Sequence, residues 1–211
     1  MELTQAIRER RSVKSYDTEH KLTEEEMRHL LTHAFLAPSS FNMQNWHVVV
    51  VTDQAQKDQL CAAAWNQTQI AEASVVLVLA GVLRGWEDVD HYTRKAPEKV
   101  REMFGGMVPG FYGTNLELQR DEAVRSIGIL AQNFMLLAKD MGYDSCPMIG
   151  FDPSKVAEIM ELPDDCPPLL MLPIGKALRE ANPRMGLRSL EEMVSVDRFG
   201  NHAISGEIDE S

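Results

Sequence analysis

Apolar residues recur at helical spacing from Met27 through Leu30, Leu31, Ala34 and Phe35. That stripe predicts an amphipathic helix. Thr23-Glu24-Glu25-Glu26 precedes it as a capping box, in which Thr23 and Glu26 satisfy orphan N–H groups reciprocally. The helix must stop before Pro38, because a residue ahead of proline avoids helical geometry. Leu3, Ala6 and Ile7 predict a shorter first helix running into Arg8–Ser12. Elsewhere the period changes. His47 to Val51 is a β-branched run that reads as a buried strand. Ser74 to Ala80 and Leu169 to Gly175 predict two more strands, the last behind Pro167-Pro168. Gln54 to Ala64 reads as a helix between the first two strands. Another helix opens at Asp152-Pro153-Ser154, with an Asp N-cap and proline at the first helical position.

Arg120 to Met141 predicts a long helix or a helix pair, closed by Gly142. Residues 127–131 and 134–138 in it are apolar nearly all round, so most faces must be covered. In a chain of 211 residues that predicts a partner subunit on one side. Asp88 to Gly113 is charged, then glycine-rich, and only weakly periodic; it reads as an insertion, partly helical, that could lie over a site. Helices alternate with short strands, so the class is α/β or α+β around one sheet.

Composition narrows the partners. The net charge of -11 disfavours nucleic acid and anionic membrane. Met1-Glu2-Leu3 leads into a charged helix pattern instead of an apolar leader, and the longest apolar run, Val75 to Leu83, is too short to span a bilayer. Cys61, Cys146 and Cys166 are widely spaced with no CxxC. A reduced, cytoplasmic protein with neither disulfides nor a zinc ribbon is expected. His29 and His33 have i, i+4 spacing but no third ligand; a solvated helix face, not a metal site, is expected there.

Five segments carry candidate chemistry. Ala37-Pro38-Ser39-Ser40-Phe41-Asn42-Met43-Gln44-Asn45-Trp46 joins a helix to a strand with more hydroxyls, amides and aromatics than a turn needs. Such a set suits a flat ring with polar edges; the plainer reading is a polar loop with Trp46 as a core plug. Arg10-Arg11-Ser12-Val13-Lys14 offers guanidinium forks and a hydroxyl to a phosphate, or simply complements a helix dipole. Asn66-Gln67-Thr68-Gln69 is a cluster of amides that reads alone as a solvated helix end. Pro147-Met148-Ile149-Gly150 can present consecutive backbone N–H groups, or be a plain loop. Arg184 and Arg188 in the basic tail are by default surface residues. There is no GxGxxG, GxxxxGK[ST], GxSxG or HExxH, so Rossmann, P-loop, serine-hydrolase and zincin chemistry lose support.

Taken in order, Arg10-Arg11-Ser12-x-Lys14, Pro38-Ser39-Ser40-x-Asn42-x-Gln44-x-Trp46, Asn66, and Gly142–Asp152 behind a long apolar helix resemble the FMN-dependent nitroreductase family. The resemblance spans about residues 3 to 198. It implies an α+β sandwich with a central mixed sheet flanked by helices, assembled as an intertwined homodimer with FMN at the subunit interface. It implies one domain over residues 1–198, with 88–113 as an insertion or lid and 199–211 as a polar tail. Arg10, Ser12 and one or both of Arg184 and Arg188 would hold the FMN phosphate and ribityl chain, joined by Arg11. Lys14 and Asn66 would approach the pyrimidine edge. Pro38, Ser39, Ser40, Phe41, Asn42 and Gln44 would come from the other subunit. Pro147 and Met148 would frame the turn that sets the backbone of Ile149 and Gly150 near flavin N5. The implied activity passes two electrons from NAD(P)H through the flavin to nitroaromatic or quinone-type acceptors by a ping-pong mechanism. The alternative is a flavin-binding redox-sensing module with little turnover. Three positions depart from the family: Gln69 stands where many relatives have lysine, Asn45 where proline is common, and Ile149 where many have an acid.

Overall fold

The strand Val75–Gly81 (β2) is buried at every position and forms the centre of the protein, whose computed structural model describes residues 1–208. Trp46–Val51 (β1) pairs with it antiparallel on one side and Pro168–Gly175 (β4) on the other. Asp144–Ser145 (β3) closes the far edge against β4, giving the order β1-β2-β4-β3. All pairings between these strands are antiparallel. The mixed character expected of the sheet is confined to an isolated parallel bridge from Ser12 to Ser145. β1 is also a half-buried edge strand in one chain, not the buried strand its β-branched run predicts.

Strand alternation sends Val76 and Val78 to one face of the sheet and Val75, Leu77 and Leu79 to the other. The first face is covered by Gln54–Ala63 (α3), Gln69–Glu72 (α4) and Pro153–Ile159 (α8). The second is covered by Glu24–Ala34 (α2) and Leu116–Asp140 (α7), with Leu3–Glu9 (α1) against α7. α7 is one helix, not a pair. It begins four residues ahead of Arg120, where the Asn115 side chain caps Leu118 N–H. It ends as a Schellman motif: Gly142, at φ +75°, donates to Lys139 and Tyr143 to Ala138.

Residues 88–113 are mostly helical, as Val89–Tyr92 (α5) and Glu98–Tyr112 (α6). α6 runs through Gly105, Gly106, Pro109 and Gly110 despite their poor propensity. Tertiary packing decides: Val108, Tyr112 and Phe104 join Met43, Phe41 and Tyr92 in a small third core. The tail carries one short helix, Leu190–Met193 (α9), and no regular structure from 199 to 208. Its last three residues lie outside those described.

The capping box at Thr23 is present in full and extends inward. Tyr143 donates to Glu26 at 2.7 Å and shares a 3.0 Å hydrogen bond with His20. The bond from Thr23 N–H, then that from Tyr143, holds the Glu26 carboxyl below the usual carboxylate range. A lowered carboxylate stabilises the fold above its unfolded pKa, and the effect is lost as pH falls through the folded value. Glu26→Gln is therefore expected to destabilise at neutral pH. Its stability gap from the parent should hold above the ordinary carboxylate range and shrink as pH falls below it. Urea unfolding at several pH values measures this, and a gap independent of pH would refute it.

Candidate functional site

Arg10 caps α1 with extended backbone, and the chain beyond it makes isolated bridges at Ser12 and Tyr16. Val13 donates to Ser145 O at 3.1 Å and points into the core. Its neighbours Ser12 and Lys14 therefore face outward, and both are exposed. Arg184 Nη2 donates to the carbonyls of Arg8 and Arg10 at 3.1 and 3.3 Å. Arg11 donates to Asn182 O. The tail is thus tied back on α1, with Arg184 beside Arg10 and Arg188 left on the exposed surface. Burial, then Arg184 and then Arg11, push the Arg10 pKa down. Among the described residues Arg10 has no carboxylate partner. Arg8, Arg10, Gln132 and Arg184 line a cavity of about 280 Å³ together with Ile7, Leu187 and Ile208, and the half-buried Arg10 guanidinium suits an anion there.

The bridge from Ser12 to Ser145 brings a second segment alongside. Met148 and Met171 exchange backbone hydrogen bonds at 2.8 and 2.9 Å, so Pro147–Gly150 continues along β4 before turning. Ile149 is 81% exposed. No acceptor among the described residues meets the N–H of Ile149 or Gly150. Trp65 and Asn66, both left-handed at φ +54° and +59°, lie next to this turn. A Cβ on Gly150 would sit 3.3 Å from the Trp65 ring. Asn66 is exposed and its side chain is unengaged. Gln69 is only 5% exposed; its amide nitrogen meets Gln67 Oε1 at 3.2 Å and Met148 Sδ at 3.6 Å. Its side chain is turned into the fold.

The loop Pro38–Gln44 is built separately. Phe41, Asn42 and Gln44 are left-handed at φ +52°, +62° and +48°. Each costs about 1–2 kcal/mol for a non-glycine residue, so the surroundings must over-determine the shape. Gln44 N–H donates to Ser39 Oγ at 2.8 Å and Asn42 Nδ2 to Tyr92 O at 3.0 Å. Ser40 and Tyr112 hydroxyls share a 3.1 Å hydrogen bond, and Phe41 stacks edge-on to Phe104.

These two groups do not meet in one chain. Trp46 pairs with Gly81 at one end of β2, whereas Ser145 pairs with Ile174, which pairs with Val75 at the other end. Three strand spacings, ~14 Å, and six residues of strand, ~20 Å, separate those corners. Ser12 and the Pro38–Gln44 loop thus sit at opposite corners of the sheet. Candidate residues Arg10, Ser12, Lys14 and Arg184 gather at one, and Pro38, Ser39, Ser40, Phe41, Asn42 and Gln44 at the other; Pro147–Gly150, with Asn66 next to it, runs from the first corner along the β4 edge, where Met148 lies level with Val78 through Met171.

Sequence reasoning passed over Gln67, whose Nε2 donates to Gly150 O at 2.9 Å, and the anchors Tyr92 and Tyr112. Gln67 lay inside a run of amides already noted; nothing marked Tyr112. Among the described residues no His, Cys, Asp or Glu cluster could hold a metal, and no helix is long and apolar enough to cross a membrane.

Comparison with known proteins is consistent with this geometry. A model of the Nitroreductase family matches residues 7 to 176. Protein DrgA of Synechocystis sp. is 45% identical over 182 residues, covering 86% of this chain and 87% of its own. MhqN of Bacillus subtilis, described as a candidate NAD(P)H nitroreductase, is 34% identical and covers 89% of this chain and 94% of its own. A solved structure from Exiguobacterium sibiricum, described as a candidate nitroreductase in complex with FMN, superposes with a TM-score of 0.81 at 30% identity. It covers 89% of this chain and 94% of that one.

Proposed function

Because the chain belongs to the nitroreductase family, we propose that two copies together hold FMN and reduce nitroaromatic or quinone-type acceptors with NAD(P)H by a ping-pong mechanism. Relatives described as NAD(P)H nitroreductases and an FMN-bound structural neighbour support the reading. Bound FMN would supply the redox chemistry, accepting hydride and passing on two electrons, which agrees with the absence of any triad or P-loop motif.

The observation that carries the proposal is the Arg10–Arg11–Arg184 cluster beside a turn with two free N–H groups. The arginines would bind the FMN phosphate, and Ser12 would reach the ribityl chain. Lys14 and Asn66 would meet the pyrimidine edge, where a cation favours the charge that builds up on reduction. Ile149 and Gly150 would offer N–H groups to the ring. Gln69, enclosed by Gln67 and Met148, would act from behind. The diagonal placement of the Pro38–Gln44 loop is resolved if the loop walls the flavin of a second copy. The insertion α5–α6, packed on that loop, would then cover the same flavin.

The purified protein is expected to be yellow, or to take up added FMN. It should oxidise NADH or NADPH steadily with menadione or a nitrofuran. Colourless protein that ignores FMN would contradict the proposal. Flavin that binds but is never reduced by either nucleotide would favour the sensing module.

A further inference from the structure

We propose that Gln67, steadied by Gln69, positions the end of the Pro147–Gly150 turn so that Ile149 and Gly150 face the flavin with hydrogen-bond donors and no acceptor; this rests on the FMN site proposed above. Three carbonyls of the turn are engaged within the protein. Met148 O accepts from Met171 N–H at 2.9 Å and Ile149 O from Phe151 N–H at 3.1 Å. Gly150 O accepts from a side chain, Gln67 Nε2, at 2.9 Å. What remains unengaged is the N–H of Ile149 and of Gly150, with Pro147 O one residue before the pinned pair.

Gln67 is itself well held. Its N–H donates to Ala64 O at 3.2 Å, and its carbonyl accepts from Ile70 N–H at 3.1 Å and Cys61 Sγ at 3.3 Å. Gln69 Nε2 donates to its Oε1, which fixes the amide orientation and leaves Nε2 to face Gly150. The fit is close: a Cβ on Gly150 would lie 3.2 Å from Gln67 Nε2. Without that bond a glycine peptide would rotate easily.

The chemistry gives the pinning a consequence. The reacting ring nitrogen of an oxidised flavin accepts a hydrogen bond; after two-electron reduction it carries a hydrogen and donates one. Two donors and no acceptor at Ile149 and Gly150 suit the oxidised form and give the reduced form no acceptor there. Gln67 therefore holds the reduction potential down. Freeing the Gly150 carbonyl lets it turn outward and accept, which raises the potential.

The test is the midpoint potential of the FMN-loaded protein, by equilibration with a reference dye, for the parent, Gln67→Met and Gln69→Met. Both variants are neutral and remove donors without adding charge. Gln67→Met is expected to keep FMN affinity within about threefold of the parent. Its reduced-to-oxidised ratio at fixed potential should rise about tenfold, or about 30 mV for this two-electron couple. Gln69→Met, which only frees the Gln67 amide to rotate, should shift the same way by less. A merely structural role would lower the melting temperature and leave the potential alone. Parent-like potentials in FMN-loaded variants overturn the inference. If the parent never takes up FMN, the proposed function fails, and hydrogen exchange at Phe151 and Asp152 in the flavin-free protein decides the role of Gln67. Exchange several-fold faster in Gln67→Met supports it; unchanged exchange overturns it.

Discussion

Arg10→Ala is expected to weaken FMN binding about 10- to 100-fold while leaving the fold intact. A charge-assisted hydrogen bond to phosphate is worth about 1.5–3 kcal/mol, which is that range of affinity. The guanidinium is half-buried beside Arg11 and Arg184 and lacks a carboxylate partner among the described residues, so the folded chain gains little from it. Removing it relieves repulsion at the cost of some packing of its stem. The flavin-free melting temperature should stay within about 4 °C of the parent, the shift that ~1 kcal/mol produces at this size. Arg188→Ala is the control: exposed and outside the Arg10 cavity, it should leave affinity unchanged. Titrating flavin fluorescence against each variant measures both. Equal losses at Arg10 and Arg188 would place the phosphate elsewhere.

Ile129→Asp should have a larger effect, converting a dimer to monomers and abolishing FMN binding though no flavin contact is touched. Along the outer face of α7, Val124 is 43% exposed and Ile129 39% exposed, and a Cβ on Gly128 would meet nothing within 4 Å. A helix presenting branched apolar residues around a glycine is shaped for close approach of a second surface. In an isolated chain a substitution at such a site changes stability by about 0.5 kcal/mol or less. In a symmetric interface the carboxylate is desolvated once per copy, at a cost of several kcal/mol each time. Light scattering on the eluting protein reads the mass, and flavin titration reads the site. A variant that stays dimeric, or a monomer that still binds FMN tightly, would refute the shared site.

Much of this arrangement is legible in the residues themselves. The Thr23–Glu26 box, the β-branched strands and Gly142 at the end of α7 act through contacts a few residues apart, and they fall where the pattern puts them. Other features depend on long-range packing. α6 passes through three glycines and a proline because Phe104, Val108 and Tyr112 have a core to join. α7 starts at Leu116 because Asn115 caps it, although its first turn carries no apolar stripe. The edge position of β1 is not legible in its own residues, because a β-branched run does not say how many strands lie beyond it. For the site, Arg10, Ser12 and Lys14 stand out by residue type and spacing. The pairing of Gln67 with Gly150 joins residues 83 positions apart and is invisible until the chain folds. The same holds for the tail's path over α1, which brings Arg184 to the carbonyls of Arg8 and Arg10 and leaves Arg188 exposed.

The central claim is that each flavin site is assembled from two chains, and complementation between two defective chains tests it most directly. Arg10→Ala damages the phosphate cluster, and Pro38→Glu puts a carboxylate on the loop at the opposite corner of the sheet. The two chains, co-expressed with different tags and purified over both, form a mixed dimer in which one site carries both lesions and the other neither. The prediction is one FMN per two chains at the parent's affinity, although each variant alone binds poorly. No recovery in the mixed dimer would mean that both groups serve a flavin within the same chain, and would contradict the account.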